Sequence, residues 1–406
     1  MIERYFIAFL IGRVSIWMAG VMLSVALGWH IYLETKEPIY LALIGLMQIL
    51  PTFAFFIITG VVIDRFQRKY ILLICTVIEF VAFTGIFIAM LFDNIPIFLV
   101  FLMLLVHGVA RAFQIPSEHA LLPNIVSKEN LEKAVAITST VSNLAKTTGP
   151  LIAGMLIALI DRYIYGICLI IVFISFLAYL LLPLLKIHAP AEFGLKPFLS
   201  GIKFVAKKKI LLAIILLDLF IVLLGSVEAL LPIYAADILN VGPNGLGLMR
   251  GMPAIGAVIT GILLSNIGPL RHCGKLLFAA FGICSLSVLV FGLSDIFWLS
   301  LIALFIYGAT DMLSVNIRFT LAQTITPDAV RGRVSAIFAT STASSNQLGE
   351  FRAGTMATVV GPVGATIIGG VLGLFICVSG IFKFPMLWNL DKISDLRSES
   401  NEFKNE

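Results

Sequence analysis

Charged residues are scarce in this chain of 406 residues: only 13% are Asp, Glu, Lys or Arg, whereas 60% are hydrophobic. A soluble globular chain carries roughly 25% charged and 45–50% apolar residues, so these few charges cannot cover a water-facing surface. Intrinsic disorder is excluded as well, because 31 Phe and 33 Gly are spread along the whole length. The composition predicts an integral membrane protein.

Other absences exclude whole classes of function. The five cysteines form no CxxC pair and have no zinc-like spacing, so we expect no metal site and interpret them as packing residues. No serine lies in a nucleophile-elbow motif and no His, Cys or Asp cluster has metal spacing, so neither an enzyme nor a cofactor is predicted. The net charge of +5 is dispersed over short loops, which argues against a nucleic-acid partner.

Long apolar runs are abundant instead. A membrane-crossing helix needs roughly 20 mostly apolar residues, and the chain holds twelve candidate runs. The first run lacks a basic leader and a cleavage site, and we interpret it as a retained span rather than a signal peptide. The runs are 6–32, 39–62, 71–92, 95–115, 134–159, 163–186, 210–236, 245–266, 275–294, 297–317, 334–358 and 362–385.

The distribution of Lys and Arg predicts the orientation. Alternate loops hold almost all of them, whereas the opposite loops contain little more than Lys36 and Arg162. By the positive-inside rule both termini and the central loop are cytoplasmic, in the inner membrane of the cell. Residues 198–209 of that loop are predicted to form a basic amphipathic helix that contacts the lipid surface.

An internal repeat divides the chain. The segment Gly45–Pro51 matches Gly247–Pro253, and the run around Gly108 matches that around Gly308 at an offset of 200. Agreement of two separate blocks at nearly one offset is rarely accidental. We predict an all-α membrane protein with twelve transmembrane helices in two pseudo-symmetric six-helix bundles. The predicted boundaries are 1–187 and 210–386 for the bundles, 188–209 for the linker and 387–406 for a cytoplasmic tail.

The loop predicted after the second span carries Gly60, Asp64, Arg65, Arg68 and Lys69. This pattern resembles the cytoplasmic signature of the major facilitator superfamily, in which a glycine precedes Asp-Arg and a basic pair. The glycine would permit a tight turn between closely packed helices, and the aspartate and arginines would contact neighbouring helices. The resemblance implies that Gly60, Asp64, Arg65 and Arg68 latch the inner side shut.

Two further motifs are similar to particular branches of that superfamily. Gly149, Pro150 and Gly154 resemble the glycine-proline motif of antiporters, with ordinary small-residue packing as the alternative. The segment 323–334 resembles the enterobactin-exporter and macrolide-efflux group. This resemblance implies alternating-access efflux of a siderophore or amphipathic drug-like compound, in exchange for protons, by a monomer.

Ionisable residues at membrane depth cost several kcal/mol and by default mark a pathway, a relay or an ion pair. In the superfamily the first, fourth, seventh and tenth spans line the cavity. Asp218 and Glu228 are ten residues apart, within about 80° on one continuous helix. The resulting candidates for substrate binding or proton coupling are Arg13, His107, Arg111, Asp218, Glu228 and Asp311.

The repeat places opposite charges at corresponding positions of two spans. Arg111 corresponds to Asp311, and Glu118 corresponds to Arg318. Helices related by a two-fold could pair these charges when the cytoplasmic side closes, so we predict an inner gate, with permanent structural pairing as the alternative.

Three further residues within the apolar runs are more ambiguous. Glu79 has Lys146 as one possible partner. Trp17 and Phe113 could stack on a cyclic ligand, although packing in the wall of the protein is the favoured interpretation for each.

The leading function is therefore efflux of a small molecule. An importer of a siderophore or another small solute, including a lipid-like one, uses the same features. A non-transporting membrane receptor or scaffold is the remote alternative, because it leaves the buried charges without a purpose.

Overall fold

A computed structural model describes residues 2–184, 202–267 and 270–391, and the backbone of these ranges is helical with no strand. The helices of the first part are α1 Ile2–Thr35, α2 Pro38–Ala54, α3 Phe56–Arg65, α4 Arg68–Met90, α5 Ile97–Ile125, α6 Leu131–Ile160 and α7 Ile164–Leu180. Those of the second part are α8 Lys209–Gly225, α9 Gly242–Asn266, α10 Cys273–Leu293, α11 Phe297–Ile325, α12 Asp328–Lys383 and α13 Pro385–Trp388.

Nine helical stretches in the described ranges are long and apolar enough to cross a membrane. Two of them, Leu131–Leu180 and Gly332–Lys383, contain 50 and 52 residues, enough for two crossings each at roughly 20 residues per crossing. The chain is therefore a multi-pass α-helical membrane protein. The count of twelve stays a prediction, because α2 has only 17 residues and α3 continues it after a break at Phe55.

The predicted turn at Gly60 is wrong. Helix α3 runs to Arg65, so Gly60 lies inside a helix and the chain turns only at Phe66 and Gln67. The helical hydrogen bonds persist because the segment is apolar up to Ile63, and the amide of Phe66 still bonds to the Val62 carbonyl at 3.0 Å. The side chain of Asp64 lies outside the described part of the structure.

The seventh predicted span is broken. Helix α8 ends at Gly225, and 3₁₀, α and π turns follow over 228–238. Asp218 and Glu228 consequently do not lie on one continuous helix, which corrects the prediction that they share a face. The last four carbonyl groups of a helix that ends in this way have no hydrogen-bond partner within the helix. The guanidinium of Arg352 supplies donors to the carbonyls of Leu223 (3.2 Å), Ser226 (3.3 Å) and Leu224.

Replacing Arg352 by Leu is expected to destabilise the protein, because those carbonyls of α8 lose a charged donor. Hydrogen bonds to charged groups contribute about 1.5–3 kcal/mol each, so a clear drop in the thermal midpoint of the purified protein is expected. Arg352→Lys, which keeps the charge and part of the donor capacity, should fall between the parent and Arg352→Leu. Equal midpoints for all three proteins would contradict this interpretation of the break.

The long helix α12 contains a second break. Gly361 has a φ of 76° inside it, a left-handed conformation that glycine adopts readily. Pro362 follows directly and removes a backbone donor at the same point. The kink falls in the gap between the predicted runs 334–358 and 362–385.

The chain forms two compact units. The first contains Met1–Gly194 and Val241–Gly251, and the second contains Leu195–Asn240 and Met252–Glu406. Each has its own apolar core, for example around Leu72 and Tyr179 in the first unit and around Phe278 in the second. The bundle boundaries at 187 and 210 stay predictions. Of the predicted amphipathic helix, 202–207 is helical and 198–201 lies outside the described residues.

Candidate functional site

A buried ion pair lies inside the first unit. Arg13 on α1, only 7% exposed, reaches Glu118 on α5, with 2.8 Å between Nη1 and Oε2. The Nε of Arg13 donates to Ser142 on α6 at 3.1 Å. The other carboxylate oxygen of Glu118 accepts hydrogen bonds from Gln114 at 2.9 Å and from the Tyr179 hydroxyl at 2.8 Å. Both charges are thus compensated, which a buried pair requires.

A second buried ion pair lies inside the second unit, with the arginine at the position that corresponds to Glu118. Arg318 on α11 and Asp218 on α8 are 3% and 2% exposed, with 2.5 Å between Nη1 and Oδ2. Thr342 on α12 donates to the same carboxylate oxygen at 3.1 Å. The sequence offset of 200 maps Glu118 onto Arg318 and Ser142 onto Thr342. Glu118 and Arg318 therefore occupy corresponding positions with inverted charge, whereas their partners Arg13 and Asp218 are 205 residues apart and do not correspond at this offset.

These contacts bear on the predicted inner gate. The structure gives Glu118 and Arg318 partners inside their own units, Arg13 and Asp218 respectively. Sequence reasoning found the inverted charges but missed both of these pairs. The predicted pairing of Glu118 with Arg318, and of Arg111 with Asp311, stays a prediction.

Three cations surround the indole ring of Trp17 on α1. The distances from the ring centroid are 4.8 Å for Lys146 Nζ, 5.5 Å for Arg111 Cζ and 5.9 Å for Arg13 Cζ. Arg111 also donates to the Gln48 side chain at 3.4 Å. Such short distances allow cation–π attraction, and they bring α1, α5 and α6 together at one ring.

Glu79 on α4 lies against His107 on α5. Its Oε1 is 3.5 Å from the imidazole Nδ1, and both side chains are almost fully buried. Phe83 packs its edge against the imidazole at 5.4 Å between ring centroids. Glu79 thus has a described contact other than the Lys146 suggested by the sequence. In the described part of the chain no group of three His, Cys, Asp or Glu side chains could hold a metal ion.

Asp311 and Glu228, the remaining acidic candidates, have different surroundings. Asp311 on α11 is half-buried, and its carboxylate makes no ion pair or hydrogen bond with any described residue. Glu228 is exposed at the start of the 3₁₀ turn. Of the two, Asp311 is the one whose side chain is partly buried.

The glycines of the antiporter-like motif lie at close helix contacts in the first unit. A Cβ on Gly149 would be 3.0 Å from Val21 on α1, and one on Gly154 would be 2.7 Å from the Cα of Gly247. A Cβ on Gly247 would be 2.9 Å from the carbonyl oxygen of Pro150. A larger residue at these positions would have to displace its neighbours, so the glycines permit close packing here, and the antiporter role of the motif stays a prediction.

The basic residues of the predicted latch lie at the junction of α3 and α4. Arg65 ends α3 and is exposed, and Arg68 begins α4 and is half-buried. The neighbouring Lys69 donates to the Leu180 carbonyl at the end of α7, at 2.7 Å. This bond ties α4 to α7, and the latch itself stays a prediction.

Comparison with known proteins agrees with this architecture. The family described as transmembrane secretion effectors, within the major facilitator superfamily, matches residues 3–405. The enterobactin exporter EntS of Citrobacter koseri is 26% identical over 371 residues, covering 90% of this chain and 87% of that protein. The EntS of Escherichia coli O1:K1 is 27% identical over 383 residues, covering 91% and 88%.

Solved structures of transporters share the fold. A bacterial homologue of the iron transporter ferroportin, in an inward-facing state, superimposes with a TM-score of 0.70 at 15% identity, covering 96% of this chain and 99% of that one. The nucleoside transporter NupG gives a TM-score of 0.68 at 13% identity, covering 95% and 99%. At these identities the likeness establishes the major facilitator fold and nothing about the substrate.

Proposed function

Since this chain belongs to the transmembrane secretion effectors of the major facilitator superfamily, and is thus a transporter and not an enzyme, we propose that it exports a siderophore or amphipathic drug-like compound in exchange for protons. Export is supported by the whole-length similarity to enterobactin exporters. We place the protein in the inner membrane as a monomer, and the charges of the loops support a cytoplasmic location of both termini.

The observation that carries the proposal is the set of ionisable side chains inside each unit. Each unit holds one buried arginine–carboxylate pair, Arg13 with Glu118 and Asp218 with Arg318, and Glu118 and Arg318 occupy repeat-related positions. At the next repeat-related position, Arg111 and Asp311 make no ion pair with the described residues. Charges at membrane depth are costly, and a translocation pathway accounts for keeping them there.

Proton coupling is the finer part of the proposal, and Asp311 is the residue that we assign to it. Arg318, Asp218 and Glu228 are the charged groups that act on it electrostatically. Because Arg318 is already neutralised by Asp218, Asp311 is left to bind and release a proton. In alternating access, the predicted gate would form when ionised Asp311 pairs with Arg111.

Vesicles of the two orientations test this function. In inverted vesicles the cytoplasmic face is outside, so an exporter should accumulate a siderophore or a macrolide in the lumen when the lumen is acidic. Vesicles without the protein provide the control. Accumulation only in right-side-out vesicles would establish an importer, and indifference to the pH gradient would exclude proton antiport. Binding without movement in either orientation would favour a receptor.

A further inference from the structure

We propose that Trp17, Arg111 and Lys146 form a binding subsite for an anionic aromatic solute. In this subsite the two cations bind carboxylate or catecholate oxygens, and the indole ring stacks on the aromatic ring of the solute. The inference deepens the proposed function, on which it rests, because it names the class of compound that the first unit recognises.

The charge balance around Trp17 is the first observation. Three cations lie within 5.9 Å of its ring centroid, and the carboxylate of Glu118 is bonded to only one of them, Arg13. Arg111 and Lys146 form no ion pair with the residues that the structure describes. Glu79 and Glu118 act electrostatically on Arg111, so three cations face two carboxylates, and a bound anion would relieve the remaining repulsion through charge-assisted hydrogen bonds.

Space beside the ring is the second observation. Gly20 lies three residues after Trp17, which puts both on one face of α1. A Cβ built on Gly20 would meet no atom within 4 Å. Trp17 and Arg111 are half-buried and Lys146 is exposed, so a solute can reach all three side chains.

Polar support for Arg111 is the third observation. Gln48 accepts from Arg111 at 3.4 Å and donates to Ser24, one turn beyond Gly20, at 3.4 Å. Gln48 thus fixes the direction of the guanidinium without neutralising it. The cations around Trp17 oppose a cationic amphiphile, so the subsite discriminates by sign of charge.

Fluorescence of Trp17 tests the subsite directly. The chain has four tryptophans, and replacing Trp29, Trp298 and Trp388 by Phe leaves Trp17 as the reporter. The purified full chain in nanodiscs is titrated with 2,3-dihydroxybenzoate and with the neutral 2,3-dihydroxybenzamide, which matches it in size. We expect the benzoate to quench the fluorescence of Trp17. The benzamide should bind about tenfold more weakly or worse, because it lacks the carboxylate that forms the charged hydrogen bond.

Variants of the two cations complete the test. Lys146→Gln and Arg111→Gln should each weaken benzoate binding about tenfold or more, whereas Arg111→Lys should retain most of it. Lys36→Gln is the matched control, because Lys36 lies 5.1 Å from the Tyr32 ring in the same unit, away from the subsite. Affinity of Lys146→Gln equal to that of Lys36→Gln would overturn the proposal, as would a parent protein that binds neither probe.

Transport in vesicles separates this inference from the proposed function. If Lys146→Gln exports a siderophore with the same concentration dependence as the parent, the subsite is wrong and efflux stands. If the parent binds benzoate at Trp17 but moves no solute, the subsite stands and the proposed function fails.

Discussion

Replacing Arg318 by Met is expected to destabilise the second unit strongly, by about 3–5 kcal/mol. Asp218 would remain 2% exposed with Thr342 as its one described hydrogen-bond donor, because its Oδ1 already has no partner among the described groups. The ionised carboxylate of Asp218 would then be buried without a counter-charge. The expected result is a large drop in the thermal midpoint of the purified protein and in its yield from the membrane.

Two controls separate charge from packing in this prediction. Arg271→Met removes an exposed arginine of the same unit and should leave the midpoint almost unchanged. The double variant Asp218→Leu with Arg318→Met removes both charges, and replacing a buried ion pair by apolar residues is often neutral or stabilising. It should therefore regain most of the stability. A single Arg318→Met variant as stable as the parent would show that the pair contributes nothing to folding.

The corresponding substitution in the first unit should lower the free energy of unfolding by a smaller amount. If Arg13 is replaced by Met, Glu118 keeps hydrogen bonds from Gln114 and Tyr179. Two neutral donors offset part of the penalty of burying the carboxylate. The asymmetry follows from the neighbours of each acid, because both pairs are almost fully buried.

Much of the fold follows from hydropathy and loop charge. The apolar runs fall on helices, and the gap predicted near position 360 falls on the kink at Gly361. The sequence contains no comparable proline signal for the break that follows α8, because the first proline beyond this break is Pro232. That break depends on Arg352, more than 120 residues away along the chain, and a local pattern cannot reveal such a contact.

The candidate site was predictable as a set of residues and not as a set of contacts. The apolar runs placed Arg111 at membrane depth, and the repeat revealed the opposite charges of Asp311 and Arg318 in the second half. Which charge meets which depends on the packing of helices that are distant in sequence. Arg13 and Glu118 are 105 residues apart, and Lys146 lies at Trp17, where the sequence suggested only Glu79 as a partner.

We expect Asp311, the residue assigned to proton coupling, to determine how the protein responds to a pH gradient. Asp311→Asn is expected to abolish transport driven by that gradient, reducing it to the level of vesicles without the protein. Asparagine keeps the size and polarity of the side chain but cannot bind a proton, whereas the half-buried carboxylate makes no ion pair within the described ranges. Exchange of labelled for unlabelled substrate without a gradient should survive, because no net proton movement is required.

Two comparison variants test whether the expected effect comes from loss of the proton-binding group. Asp311→Glu retains a carboxylate and should keep part of the gradient-driven transport. Asp295→Asn removes an exposed acid of the same unit and should transport as the parent does. Loss of exchange together with gradient-driven transport would indicate damage to folding or substrate binding, and undiminished acceleration by the gradient in Asp311→Asn would assign the proton to another group. The assignment to Asp311 requires loss of the pH response with exchange intact, since asparagine has nearly the size of aspartic acid but can neither ionise nor release a proton.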